Sequence, residues 1–235
     1  MKFGARPLGI HAITHKHVLL CEGMHDAQFF KHLIDVRNLP SFLVASCGFI
    51  AGAPPGRDGI DHLTKALDAL VAIPGFPQLE AILIVADNDS DPAAAFNKVR
   101  QLIGATADIK PQRRYAIPNA PLTKSGLQPT IVVMMHPWTG VPGALDTLCL
   151  TAASNKEPAK SVCVDIFAKC AQSDKWPPTK VAKMKLRSLL SATYESDPYI
   201  SPAWVWRDGT SLVPLHDSVF DQIATFMQGF PALVA

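Results

Sequence analysis

The feature that most constrains this chain is a run of four aliphatic residues, Ile82-Leu83-Ile84-Val85. It is bracketed by Ala81 and Ala86 and followed at once by Asp87-Asn88-Asp89. A strand with no polar residue on either face has to be covered on both, and a parallel sheet with helices on its two sides does this. Val18–Cys21, Phe42–Ala45 and Thr130–Met135 read as further short strands. Helical periodicity fills the gaps between them. Residues from about Asp26 to Val36 place Phe29, Phe30, Leu33 and Ile34 on one face, and Ile60–Val71 does the same with Leu63, Ala66, Leu67 and Leu70. Pro92 opens another helix at its first turn, where a missing N–H costs nothing, with Ala95, Phe96, Val99, Leu102 and Ile103 inside. Gly143–Ala152 reads as a short helix. The Gly- and Pro-rich Gly48–Asp58 and the polar stretch 105–129 read as loops.

Strand–helix alternation through residue 150 predicts an α/β fold with a mainly parallel sheet flanked by helices. Beyond it the pattern turns helical, at about 158–172, 179–192 and 216–228, the last marked by Val219, Phe220, Ile223, Phe226 and Met227. The expected organisation is an irregular lead-in over 1–16, an α/β domain over 17–152, and a helical C-terminal extension over 153–235 that packs on it or caps it. At 235 residues the chain has the length of one large domain or of one domain plus an extension.

Charge narrows the function classes. The formal net charge is +2, so any nucleic-acid contact has to come from a local patch rather than from the field of the whole molecule. The densest basic segment is Lys175, Lys180, Lys183, Lys185 and Arg187; Lys124 lies with Arg113 and Arg114 in the long loop before the fourth strand. Such residues either grip phosphates or, more ordinarily, form a solvated helix face. The five cysteines, Cys21, Cys47, Cys149, Cys163 and Cys170, are odd in number and include no Cys-x-x-Cys. They read as buried free thiols in a reducing compartment, not as a zinc site. No apolar run approaches the roughly 18 residues of a membrane span, and no apolar segment resembling a signal peptide precedes the first strand. The expectation is a cytoplasmic protein without a membrane partner.

Three acidic features fall where strands end. Glu22-Gly23 follows the first strand, Asp87-Asn88-Asp89 follows the third, and Asp146 lies shortly after the fourth. Ligands of open α/β sheets bind at the carboxyl ends of strands, so these acids are candidates to converge there. Clustered carboxylates repel one another. A divalent cation relieves that cost, and oxygen-only ligands favour Mg²⁺ or Mn²⁺ over zinc. Any one acid after a strand is more often a cap or loop residue, and Asp26 and Asp91 read that way. His15-x-His17 shares a strand face, yet ordinary histidines in a flexible terminus are the simpler reading. His25 and His136 border the acidic region. Trp176, Trp204 and Trp206 either stack on bases or pack the helical extension.

The Glu-Gly after a first strand, in "VLLCEGMHDAQFF", and the Asp-x-Asp after a later apolar strand, in "ILIVADNDSDPAAAF", resemble the Toprim family. "GIDHLTKALDAL", "ADNDSDPAAAFNKVRQLI", "GVPGALDTLCL" and "KMKLRSLLSA" extend the resemblance to standalone bacterial Toprim proteins related to OLD-type nucleases. The resemblance implies a Toprim-like, Rossmann-like fold. It also implies that Glu22 acts as general base or metal ligand and that Asp87 and Asp89 hold Mg²⁺. Related chains often carry Gly-x-Leu-Glu near the fourth strand; here Asp146, one methylene shorter, stands in the Glu position, which implies a weaker second metal site. Gly23, Lys124, Lys180 and Lys183 are the substrate-contact candidates.

The activity expected from this set is Mg²⁺-dependent hydrolysis of nucleic-acid phosphodiesters. No tyrosine sits in a topoisomerase-like context, and Gly52–Gly59 holds no G-x-x-x-x-G-K-[ST]. Whether a separate ATPase or a second copy of the chain assists stays open. Two rival readings also stand: a phosphatase using the Asp-x-Asp as nucleophile, and a noncatalytic binding or regulatory module that keeps the acidic fold.

Overall fold

Four strands, β1 (His17–Cys21), β2 (Leu43–Ser46), β3 (Ala81–Asp87) and β4 (Thr130–His136), form one all-parallel sheet in the order β2-β1-β3-β4. The structure is a computed structural model describing residues 12–54, 56–104, 129–138, 140–206 and 211–234. In register, Leu19 lies between Val44 and Leu83, and Leu83 in turn opposes Val132. The aliphatic run Ile82–Val85 thus occupies a central strand, and those four side chains are buried. Burying each contributes about 1.5–3 kcal/mol.

The helices are α1 (Met24–Arg37), α2 (Cys47–Ile50), α3 (Leu63–Val71), α4 (Pro92–Gly104), α5 (Leu145–Lys156), α6 (Pro158–Cys170), α7 (Pro178–Thr193) and α8 (Asp221–Val234). They divide between two layers according to the strand period of two. Leu19, Cys21, Leu83, Val85, Val132 and Met134 enter one core with buried residues of α1, α5, α7 and α8. Val18, Leu20, Ile82, Ile84, Ala86, Ile131, Val133 and Met135 enter the other, with α3 and α4. This is the α/β arrangement that strand–helix alternation predicts.

The C-terminal segment adds to the first core. Trp206, Val213, Phe220, Ile223, Met227 and Phe230 pack into the same cluster as the sheet residues. Arg37, in the last turn of α1, pins it there: its Nε donates to the Leu215 carbonyl at 2.7 Å, its Nη2 donates to the Asp217 carbonyl at 2.9 Å, and it pairs with Asp221 at 3.1 Å.

Several expectations need correction. Gly48–Asp58 is not loop throughout, because Cys47–Ile50 makes one helical turn capped by the Ser46 hydroxyl, which accepts from Phe49 N. His17 is no part of a loose terminus. It opens β1 and is buried against the Phe42 and Phe230 rings, with centroids at 5.6 and 5.4 Å. Cys163 and Cys170 are exposed, since α6 turns that side to solvent; Cys21, Cys47 and Cys149 are buried as expected. The last helix starts at Asp221, after a separate turn at Ser218–Phe220 capped by Asp217, and runs on through Pro231. Lys124 and most of the lead-in lie outside the described residues. Among the described residues no helix is long and apolar enough to cross a membrane.

Candidate metal centre at the carboxyl edge of the sheet

From β1 the chain passes to β2 on one side, while β3 lies on the other. The crevice between the carboxyl ends of β1 and β3 is therefore the topological switch point, the place where such sheets bind ligands. Glu22 is the first residue beyond β1, and Asp87 is the last of β3. Glu22 N donates to the Val85 carbonyl at 3.1 Å, which continues the parallel ladder one step and sets the side chain over the crevice. Asp87 N then points at Glu22 Oε2 at 3.4 Å. The two acids meet there from stretches of chain 65 residues apart.

Asp87 is held from a second side. Its Oδ1 accepts from Leu145 N at 3.0 Å, in the first turn of α5, where unpaired N–H groups and the helix dipole favour an anion. Asp26 Oδ2 accepts from Gly23 N at 2.9 Å and closes the start of α1. Asp91 caps α4 by accepting from Ala93 N and Ala94 N, both at 3.0 Å. Both therefore act as the helix caps their positions suggest.

These acids raise one another's proton affinity. Burial, then the charges of Asp26 and Glu22, push Asp87 well above the usual carboxylate range. Burial, with repulsion from Glu22 and Asp146, raises Asp26 to about 7, against the opposing hydrogen bond from Gly23. Glu22 is raised by burial and by Asp89, with the Asp87 N–H opposing. Asp89 itself is exposed and left-handed, at φ 50°. Its carbonyl accepts from Gly143 N at 2.7 Å, so its backbone anchors the loop between β4 and α5 while its charge acts on Glu22.

Asp146, which the resemblance puts at a second metal site, is near enough to act on both Asp26 and Asp87. It is buried in the first turn of α5, with Lys183 Nζ 3.5 Å from its Oδ2 and His25 Nδ1 3.8 Å from its Oδ1. It thus has cationic company from α7. His25 stacks on Trp206 at 5.8 Å. Burial lowers His25 to about 4 despite Asp146, so its ring is neutral at pH 7. His136 is buried against Phe30, and burial alone takes it down to about 3. Trp206 packs in the core and donates from Nε1 to the Val213 carbonyl, whereas Trp176 and Trp204 are exposed. Lys180 is exposed on α7, and Lys185 pairs with Asp165 at 2.8 Å.

Asn88 is the residue that motif reading passes over. It is buried, and its Nδ2 donates to the carbonyls of Trp138 at 2.7 Å and Val141 at 2.8 Å. It thereby holds the loop that delivers Leu145 N to Asp87. Gly143 in that loop has φ 137°, and a Cβ there would lie 2.8 Å from Thr147 Oγ1 and 3.1 Å from Pro137 Cδ. Gly143→Ala is expected to cost about 1–3 kcal/mol, measured by urea unfolding, by displacing the Thr147 hydroxyl that accepts from Ala144 N.

Among the described residues no three His, Cys, Asp or Glu side chains converge as a ready-made ligand set. The donor chemistry nevertheless suits a hard cation: oxygen only, half-buried at Glu22 and Asp87, and mutually repulsive. A protein-family model described as Protein of unknown function (DUF3226) matches residues 16–224. No curated protein and no solved structure matches the chain. The match spans all four strands and reaches into the last helix, and the chain belongs to the DUF3226 family.

Proposed function

We propose that this protein is a Mg²⁺- or Mn²⁺-dependent phosphoryl-transfer protein of Toprim type that hydrolyses nucleic-acid phosphodiesters. The observation that carries the reading is the meeting of Glu22 and Asp87 at the switch-point crevice, with Asp89 close enough to act on Glu22. Glu22, Asp87 and Asp89 would hold the ion, which when bound polarises a phosphoryl oxygen and an attacking water.

The chain's own residues supply the rest. Leu145 N fixes one oxygen of Asp87 and leaves the other for the ion. Where Asp87 and Asp89 alone hold the ion, Glu22 is free to take the proton from the attacking water. Asn88 keeps the loop that supports Asp87 in place.

The test is incubation of the protein with single- and double-stranded DNA and RNA, in Mg²⁺, in Mn²⁺ and in EDTA. Cleavage is expected with metal and absent in EDTA. Cleavage that persists in EDTA, or none with either metal on any of the four substrates, would sink the reading.

A further inference from the structure

We propose that the solvent face of α7 is a docking rail for the phosphate backbone of a nucleic-acid strand, formed by Lys180, Lys183 and Arg187 and leading into the carboxylate crevice. The proposal rests on the phosphodiesterase reading and adds to it where the substrate lies.

Helix α7 carries four cations and no acid, in a chain whose net charge is only +2. Ala182, Leu186, Leu189 and Leu190 face the core, and Lys185 turns to Asp165. Lys180, Lys183 and Arg187 remain on the exposed side. Their spacing, i, i+3 and i+7, aligns them along one ridge. Lys180 and Arg187 form no ion pair among the described residues, so their charge is not spent internally.

The ridge is tied to the crevice. Lys183 Nζ lies 3.5 Å from Asp146, in the same first turn of α5 whose Leu145 N–H holds Asp87. Lys183 and Arg187 are both near enough to His25 to oppose its protonation. Positive charge therefore continues from the helix surface to the acids at the start of α5 and the end of β3. That juxtaposition suits a polyanion, which the carboxylates alone would repel. Seven residues of helix span about 10 Å at about 1.5 Å each. That length lets the backbone of one strand touch more than one of the three cations.

The experiment measures fluorescence anisotropy of end-labelled DNA and RNA oligonucleotides in EDTA over a salt series, so that binding is read without hydrolysis. The double variant Lys180→Gln/Arg187→Gln is compared with Lys65→Gln/Arg100→Gln, which removes the same charge from α3 and α4 on the opposite layer. Each lost phosphate contact lowers the slope of log K against log salt by about 0.7–0.9. The α7 variant should therefore lose roughly 1.5 of slope, with the control matching wild type. The DNA and RNA arms show which backbone the rail prefers. Equal slopes for the two variants, or no binding by wild type to either polymer, overturn the proposal. A slope change in a protein that never cleaves would keep the rail and remove the hydrolase reading instead.

Discussion

Asp87→Asn is expected to lower Mg²⁺-dependent cleavage by at least about a hundredfold while making the metal-free protein more stable at pH 8, by on the order of 1–3 kcal/mol. The two effects have one origin. Asp87 is half-buried beside Asp26 and Glu22, and all three carboxyls are raised above their unfolded values. An amide keeps an oxygen to accept from Leu145 N but carries no charge for its neighbours to repel, and no anion for a cation to bind. Sites built for catalysis commonly trade stability for function in this way.

The sign of the pH dependence comes from linkage. Below the unfolded pKa, near 4, both states are protonated and the cluster costs nothing. As pH rises, the unfolded chain releases protons that the folded one retains, so stability falls until the folded pKa is passed, at about 7 for Asp26. His25 and His136 act oppositely. Lowered to about 4 and about 3, they cost stability as pH drops below their unfolded value. The difference between Asp87→Asn and wild type cancels the histidines and should grow from pH 5 to pH 8. Thermal melts in EDTA should show it as a shift of roughly 3–8 °C at pH 8. Millimolar Mg²⁺ should raise wild type toward the variant and leave the variant unmoved. A variant less stable than wild type at pH 8 would discredit mutual repulsion at this site, and unchanged cleavage would remove Asp87 from the chemistry.

How far the sequence discloses this arrangement depends on whether a feature is local. Ile82–Val85 is legible because a strand with no polar face has one kind of place to go, and its C-terminal Asp87 goes with it. The acids after β1 and β3 are legible for the same reason: neighbouring parallel strands run in one direction, so the residues just past their carboxyl ends lie side by side. Helix α2 is not legible, since one turn shows no periodicity and its cap is a single Ser46 hydroxyl. The burial of His17 depends on Phe230, from the far end of the chain. Asp146 is visible as an acid near the crevice, but its partner Lys183 arrives only because α7 packs on α5. The apolar stripe of α8 likewise says that it is covered without saying by what. Its place beside α1 is set by Arg37, which binds Leu215, Asp217 and Asp221 together.

Asn88→Asp is expected to be the most damaging single exchange at the site, costing on the order of 3–5 kcal/mol at pH 8, against roughly 1–3 kcal/mol for Asn88→Ala. Alanine removes two hydrogen bonds, those from Nδ2 to Trp138 and Val141, and leaves their carbonyls to find other partners. Aspartate keeps the shape but sets an oxygen against those same carbonyls, and it adds a buried charge next to Asp87 in the chain. Its own pKa must rise in the folded state, so stability is lost as pH increases through the neutral range. The gap between the two variants should accordingly narrow at pH 5, where the new carboxyl takes up a proton and can donate to one of the carbonyls. Urea unfolding at both pH values measures this directly. Equal, pH-independent losses for aspartate and alanine would mean that position 88 is solvated, and that the loop carrying Leu145 to Asp87 is held by something other than this side chain.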